Sequence, residues 1–269
     1  MYYFNFIIVF IFGLTIGSFL NALIWRMHVK KSMAERSCCP KCKHVLGIKD
    51  LIPLFSFLWQ KGKCRYCQKK ISWQYPAVEL ITGILFVVTF VINFQAISFQ
   101  NFQFSIFNFQ SIFNFQFLIL TLQDLFFVST LIIIFVYDLK YGYILDKVTL
   151  PAMLVGLILN LILGITWQNL LLAAVIGGGF FLAQFLISKG QWIGGGDIRM
   201  GALMGLFLGW PQILVALFFS YILGATIGIG LIIFKKKTWK SEIPFGVFLA
   251  IGAIISLFFG EQILLAFSF

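Results

Sequence analysis

Two groups of residues in this chain have the types and spacing to do chemistry: paired cysteines, and carboxylates within or beside long apolar stretches. Cys39-Pro-Lys-Cys42 and Cys64-Arg-Tyr-Cys67 are C-x-x-C pairs with 21 residues between them. Two such knuckles at this separation can set four thiolates around one tetrahedral zinc ion. A closed four-thiolate site leaves no position for a substrate, so its role would be to fold a loop too small to have a core. Cys38 is surplus and could replace Cys39. His44 is a weaker candidate ligand, and His28 reads more simply as a hydrated residue at the membrane edge. A thioredoxin-like redox role would need one C-x-x-C in a βαβ setting, which the sequence lacks.

The carboxylates are Glu79, Asp124, Asp138, Asp146 and Asp197. Acids placed within or at the rim of apolar spans are costly, which makes each a functional candidate. Asp138 follows the run LIIIFVY, and Asp197 follows Gly194-Gly195-Gly196. Two carboxylates sharing a site cannot easily both ionise, and such a pair can activate water and protonate a leaving group. Glycines before Asp197 would let backbone approach closely, either an opposing helix or an extended substrate strand. Position alone is equally compatible with Asp138 merely ending a helix and Asp197 capping one. Asp146 reads as the N-cap of the span it precedes. Asp124 falls about two turns inside the far end of its span. Glu79 lies one turn after Pro76, where a proline and an acid are ordinary helix-start chemistry.

The elements that must position these groups are membrane helices. The chain has 269 residues, 61% hydrophobic and 11% charged, with a mean hydropathy of +0.99. That excludes a water-soluble globule and a disordered chain. A span needs about 20 apolar residues to cross about 30 Å of hydrocarbon. Spans are predicted near 4–25, 76–96, 117–138, 147–164, 168–188, 198–209, 211–234 and 245–267. The first has no basic residues before it and is followed by Arg26, so it reads as a retained span rather than a signal peptide.

Charge supports this count. Of 20 Lys and Arg, 12 lie between Arg26 and Lys70, and none occurs from Ile71 to Leu139 or from Val148 to Ser188. With eight spans and both termini outside, every basic residue falls on the cytoplasmic side, as the positive-inside rule requires. The cysteines then lie in a reducing compartment, which argues against disulfides. The basic residues around the knuckles suit retention inside and attraction to anionic lipid better than nucleic acid.

The expected fold is therefore an all-α polytopic membrane protein of about eight transmembrane helices with a small cytoplasmic zinc-binding loop domain. It divides into a first helix (1–25), a cysteine loop (26–75) and a membrane core (76–269). Within that core, 92–116 is a low-complexity outer loop, where SIFNFQ repeats in tandem at 105–110 and 111–116. Its alternation could suit an interfacial or strand-like segment, but a repeat expansion without chemistry is the simpler reading. Gly13/Gly17, Gly201/Gly205 and Gly224/Gly228 are small-xxx-small pairs, which close helix packing explains.

Taken together in order, these residues resemble the type IV prepilin peptidase family of bacteria, bifunctional leader peptidases with N-methyltransferase activity. Gly17-Ser18-Phe19-Leu20-Asn21 with Arg26, Ser37, the two C-x-x-C pairs with Asp50 and Ile52-Pro53 between them, and Tyr75-Pro76-Ala77-Val78-Glu79-Leu80 follow the family pattern. So do Asp138, the G-x-G-D motif Gly194-Gly195-Gly196-Asp197, and Ile243-Pro244-Phe245-Gly246. The resemblance implies an aspartic endopeptidase of the bacterial cytoplasmic (inner) membrane. Its substrates would be prepilin or pseudopilin precursors, cut after the Gly that ends a basic leader. The new N-terminal amine would then be methylated with S-adenosylmethionine.

On this reading Asp138 and Asp197 are the catalytic pair, supported by Gly194, Gly195, Gly196, Arg199 and Asp146. Glu79 is the candidate to meet the positive sulfonium or the substrate amine. Three departures stand out. Ile144-Leu145-Asp146 lacks the proline usual after the first aspartate, Arg199 replaces a common Lys, and the tandem repeat is an addition. Other readings predict other behaviour. A different G-x-G-D protease would cut within a transmembrane helix, a carrier would transport protons or cations through the buried acids, and a scaffold would tolerate loss of both aspartates.

Overall fold

The computed structural model describes residues 2–32, 34–100, 115–234 and 243–267. The tandem repeats from 105 and the basic run Lys235-Lys236-Lys237 with Lys240 fall largely or wholly outside the described residues. The chain forms two compact units, Met1–Gln100 and Asn101–Phe269.

In the first unit α1 (Tyr2–Val29) packs on α3 (Gln74–Gln100), and the cysteine loop between them carries one short helix, α2 (Phe55–Trp59). Phe6 meets Phe90. Added Cβ atoms at Gly13 and Gly17 would lie 2.7 Å from the Cα atoms of Gly83 and Glu79. Each step up α1 is thus a step down α3, so the two helices are antiparallel, and both glycines are there because backbone lies against backbone. The span predicted to end at 96 continues as helix to Gln100, so the start of the Asn/Phe/Gln tract is helical.

The second unit contains α4 (Phe115–Tyr141), α5 (Asp146–Ile162), α6 (Trp167–Ser188), α7 (Gly195–Leu208), α8 (Gln212–Ile233) and α9 (Gly246–Phe267). Each corresponds to one predicted span within a few residues. Among the described residues, six helices are long and apolar enough to cross a membrane. The exceptions are α5 and α7, with 17 and 14 residues, or about 25 and 21 Å at 1.5 Å per residue.

The core of this unit surrounds α7, whose Met200, Leu203 and Met204 are fully buried with Phe127, Phe181, Ile213 and Leu249. Apolar burial cannot discriminate between protein and lipid, so close packing and polar contacts must fix the arrangement. Asn160 of α5 does so by donating to the carbonyls of Leu206 (2.7 Å) and Phe207 (3.2 Å), while accepting from Gln123 of α4 at 2.9 Å. Gly201 and Gly205 lie against the backbone of Gly177 and Ala173 on α6. Gly224, by contrast, faces the Phe245 and Phe248 rings, and Gly228 is in ordinary contact with Ile243.

A methyl group at Gly205 has no space. Gly205→Ala is expected to cost about 1–3 kcal/mol, as overpacking does in a close-packed interior. Gly230→Ala, where a Cβ meets nothing within 4 Å, should be neutral. Thermal unfolding of the two variants in one detergent checks the difference.

Candidate functional site

The two aspartates lie at one end of the second unit, on different helices. Asp138 is in the last turn of α4 and Asp197 in the first turn of α7, and both are buried. Each carboxylate is held by a backbone N–H. Val247, at the start of α9, donates to Asp138 Oδ2 at 3.2 Å, and Gly194 donates to Asp197 Oδ2 at 3.0 Å. The chain leaves α4 through Gly142 in the left-handed region (φ 73°) and turns back into α5. That turn brings Ile144 against Gly246 and Gly196, the glycines beside the two acids.

The glycines differ in what they do. A Cβ at Gly246 would sit 2.8 Å from Asp138 Oδ2 and 2.9 Å from Ile144 Cδ1, and one at Gly196 would sit 3.0 Å from Ile144 Cβ. Ile144 is therefore a wall shared by the Asp138 and Asp197 sides. Gly196 approaches Ile144 closely, in the turn between α4 and α5 rather than on an opposing helix. Gly194 and Gly195 have room around them, meeting only their own Asp197 and Arg199 at van der Waals distance.

Asp146 is not the N-cap of α5. Leu145 occupies that position, and Asp146 Oδ2 instead accepts from Arg199 Nη1 at 2.9 Å. A carboxylate one residue inside the helix points outward, where the guanidinium on α7 reaches it. The pair ties the starts of α5 and α7 together beside the aspartates. Both side chains are substantially exposed, so its own contribution to stability is about 0–1 kcal/mol. Asp124 is on the same helix as Asp138 but about 21 Å away at 1.5 Å per residue, and takes no part in this site.

In the first unit, the sulfur atoms of Cys39, Cys42, Cys64 and Cys67 all lie within 4.8 Å of one another. A zinc ion with Zn–S bonds of about 2.3 Å requires sulfurs roughly 3.8 Å apart, so the donor set fits one tetrahedral ion. The two knuckles have the same backbone. Cys39 N–H bonds to His44 O and Lys43 N–H to Cys39 O. Cys64 N–H likewise bonds to Lys69 O and Gln68 N–H to Cys64 O, all four at 2.9 Å. Lys43 and Gln68 each turn through positive φ, at 62° and 56°.

Burial opposes ionisation of Cys39, but the backbone N–H groups of Cys42 and Lys41 and the thiols of Cys42 and Cys64 bring it down to about 7. Cys38 is not part of the cluster and pairs through its backbone with Val45. The His44 ring stacks on Tyr66, with centroids 3.6 Å apart.

Glu79 is buried one turn into α3. Its Oε2 accepts from Leu54 N–H at 2.8 Å, and the Ser18 hydroxyl also hydrogen-bonds to it. Both donors are neutral, so this donor set fits a group that brings positive charge. Neighbouring motif residues anchor the loop in the same way. Asn21 donates to Tyr75 O at 3.0 Å, and Arg26 donates to Glu35 O at 2.6 Å and Ser37 Oγ at 3.4 Å.

A prepilin leader peptidase/N-methyltransferase of Aeromonas salmonicida (strain A449) is 32% identical over 289 aligned positions, covering 96% of this chain and 92% of that protein. The chain belongs to the type IV leader peptidase family. The family model of that description matches residues 125–229, and the model for the bacterial peptidase A24 N-terminal domain matches 11–93. The same name is carried by a relative from Bacillus subtilis (strain 168), 32% identical over 96% of this chain and 95% of its own length. One from Myxococcus xanthus (strain DK1622) is 32% identical over 83% of this chain and 62% of its own. No solved structure matches this chain significantly. With its six apolar helices, this family member is a multi-pass membrane protein.

Three residues of this peptidase's two sites carry roles that their types did not signal. Val247 supplies a backbone N–H, for which any residue but proline would serve. Ile144 is an apolar wall. Asp50 is a hub of the loop, accepting from Gly47 N–H (3.1 Å), Gln60 Nε2 (3.0 Å) and Tyr66 Oη (3.2 Å). In the sequence it appeared only as an acid between the cysteine pairs and as one letter of the family pattern.

Proposed function

We propose that this chain is the aspartic endopeptidase that removes the leader of type IV prepilins or pseudopilins at the cytoplasmic face of the bacterial inner membrane, and that it then N-methylates the mature end. The observation that carries this reading is the pair Asp138 and Asp197, both buried at one end of the second unit, held by backbone N–H groups and lying beside the shared wall of Ile144. One carboxylate takes a proton from water as its oxygen attacks the carbonyl carbon of the leader Gly. The other gives a proton to the substrate, and collapse of the tetrahedral species releases the leader acid and a new amine. The open backbone at Gly194 and Gly195 suits an extended substrate strand lying along the start of α7. Both chain termini lie outside in this reading, which keeps the basic loops in the cytoplasm.

S-adenosylmethionine would supply the methyl group, and Glu79 would hold the positive charge of the donor or of the substrate amine. The four cysteines would bind zinc and fold the loop that leads to Glu79. A mass-resolved assay with a prepilin substrate tests the whole reading. Wild type should release the leader and, only with S-adenosylmethionine present, add the mass of one methyl group to the product. Glu79→Gln keeps the volume and a hydrogen-bonding oxygen but removes the charge. It is expected to lower methylation at least about tenfold, the equivalent of one lost charged contact of roughly 1.4 kcal/mol, with cleavage unchanged. Intact cofactor binding and methylation would reduce Glu79 to a partner of Leu54.

A further inference from the structure

The cysteine loop has an apolar face that neither the peptidase nor the metal explains. In α2, Phe57 is buried, while Phe55 and Leu58 are each 67% exposed and Trp59 is 85% exposed. Ile48, in the 3-10 turn before it, is 86% exposed. Exposed apolar residues on spanning helices meet lipid tails, but these belong to a polar, charged loop. A cluster of this kind on such a loop marks an interaction surface.

Its depth is fixed by contacts within the unit. The Phe57 ring packs on Trp73, centroids 4.9 Å apart, and Trp73 immediately precedes α3. Leu54, the residue before α2, has its N–H bonded to Glu79, which lies about 7 Å along α3 from its first residue. So α2 hangs beside the first two turns of a membrane-spanning helix, level with the boundary where that helix enters the bilayer. Trp and Tyr favour this depth because their rings bridge apolar and polar zones. Beside Trp59, Lys61, Lys63 and Arg65 line a concavity of about 270 Å³ with Gln60 and Gln68. Lys and Arg near the surface of an anionic membrane each contribute about 1 kcal/mol of attraction.

We infer that α2 is an interfacial anchor: Phe55, Leu58 and Trp59 insert among the lipid headgroups, and Lys61 and Lys63 bind the phosphates of anionic lipid, while Arg65 beside them is paired with Asp50 at 3.5 Å. The loop is thereby held against the membrane at its middle as well as at its two ends. This does not depend on the peptidase chemistry.

The test uses the full chain in nanodiscs containing phosphatidylglycerol, with lipids brominated just below the glycerol backbone as quenchers. The Trp59 signal is the difference between wild type and Trp59→Phe, a change that an exposed ring tolerates. The brominated lipid should remove at least half of that signal, and less so in Lys61→Gln/Lys63→Gln or in purely zwitterionic discs. A Trp59 signal equal in brominated and unbrominated discs would overturn the inference. Quenching absent in discs but replaced by protection of Trp59 on adding a prepilin would overturn it too, and would assign the face to the substrate.

Discussion

Asp138→Asn and Asp197→Asn are each expected to slow leader cleavage by about 10⁴-fold, the scale of loss when a member of a catalytic group is altered. The structure makes these clean substitutions. An Asn at either position keeps an oxygen that can accept the N–H of Val247 or Gly194, and it has nearly the same volume. What is lost is the ability to hold or give up a proton, the one property that hydrolysis by two carboxylates requires. Both variants should therefore insert, fold and bind metal as wild type does, and should still methylate a pilin supplied already cleaved. Cleavage assayed by mass against a time course reads the rate. Survival of cleavage in either variant would remove the dyad and return the carrier and scaffold readings. Loss of methylation on the precleaved substrate as well would point to misfolding.

The same site shows what a sequence can convey and what it cannot. The eight helices were legible because apolar runs and the distribution of Lys and Arg are one-dimensional signals. Every span predicted from them coincides with a helix; of the two short ones, α7 is buried along most of its length, whereas α5 keeps Leu150, Leu154 and Ile158 exposed. The aspartates were legible because an acid at the end of an apolar run is costly. That they lie at the same end of one unit was not, since it depends on a turn through Gly142 and on the packing of α4, α7 and α9.

Asp146 shows the limit most plainly. An acid before a span has the chemistry of an N-cap, and only the position of Arg199 on another helix assigns it to an ion pair. Gly246 appeared in the sequence as one letter of a motif. In the structure it is the residue whose missing side chain lets the α9 backbone come within hydrogen-bonding distance of Asp138. Its reason is steric and three-dimensional, as it is for Gly196 against Ile144.

The metal prediction follows from how little else could hold the loop. Between Lys30 and Trp73 the only buried apolar side chain besides Cys39 and Cys64 is Phe57, among the described residues. Burying one Phe contributes about 1.5–3 kcal/mol, whereas ordering each residue of backbone costs about 1–2 kcal/mol. A few dozen residues cannot be fixed on that basis, even with the hydrogen bonds that converge on Asp50. A four-thiolate zinc site supplies roughly 10–16 kcal/mol, several times what that one ring does. Cys42→Ser and Cys67→Ser should therefore purify with little or no zinc. Amide exchange across the loop should rise by orders of magnitude, while exchange in the second unit stays at its wild-type level. Cys38→Ser should change neither, because Cys38 stands outside the cluster and contributes only backbone pairing to Val45. Chelation of the wild type should reproduce the Cys42→Ser exchange pattern, and returning zinc should reverse it. Because the cysteine thiols must shed their protons to bind as thiolates, the zinc content of wild type should also fall as the pH is lowered. Equal zinc in all the variants would mean that the four sulfurs meet for some purpose other than a metal, and the loop would need a different source of order.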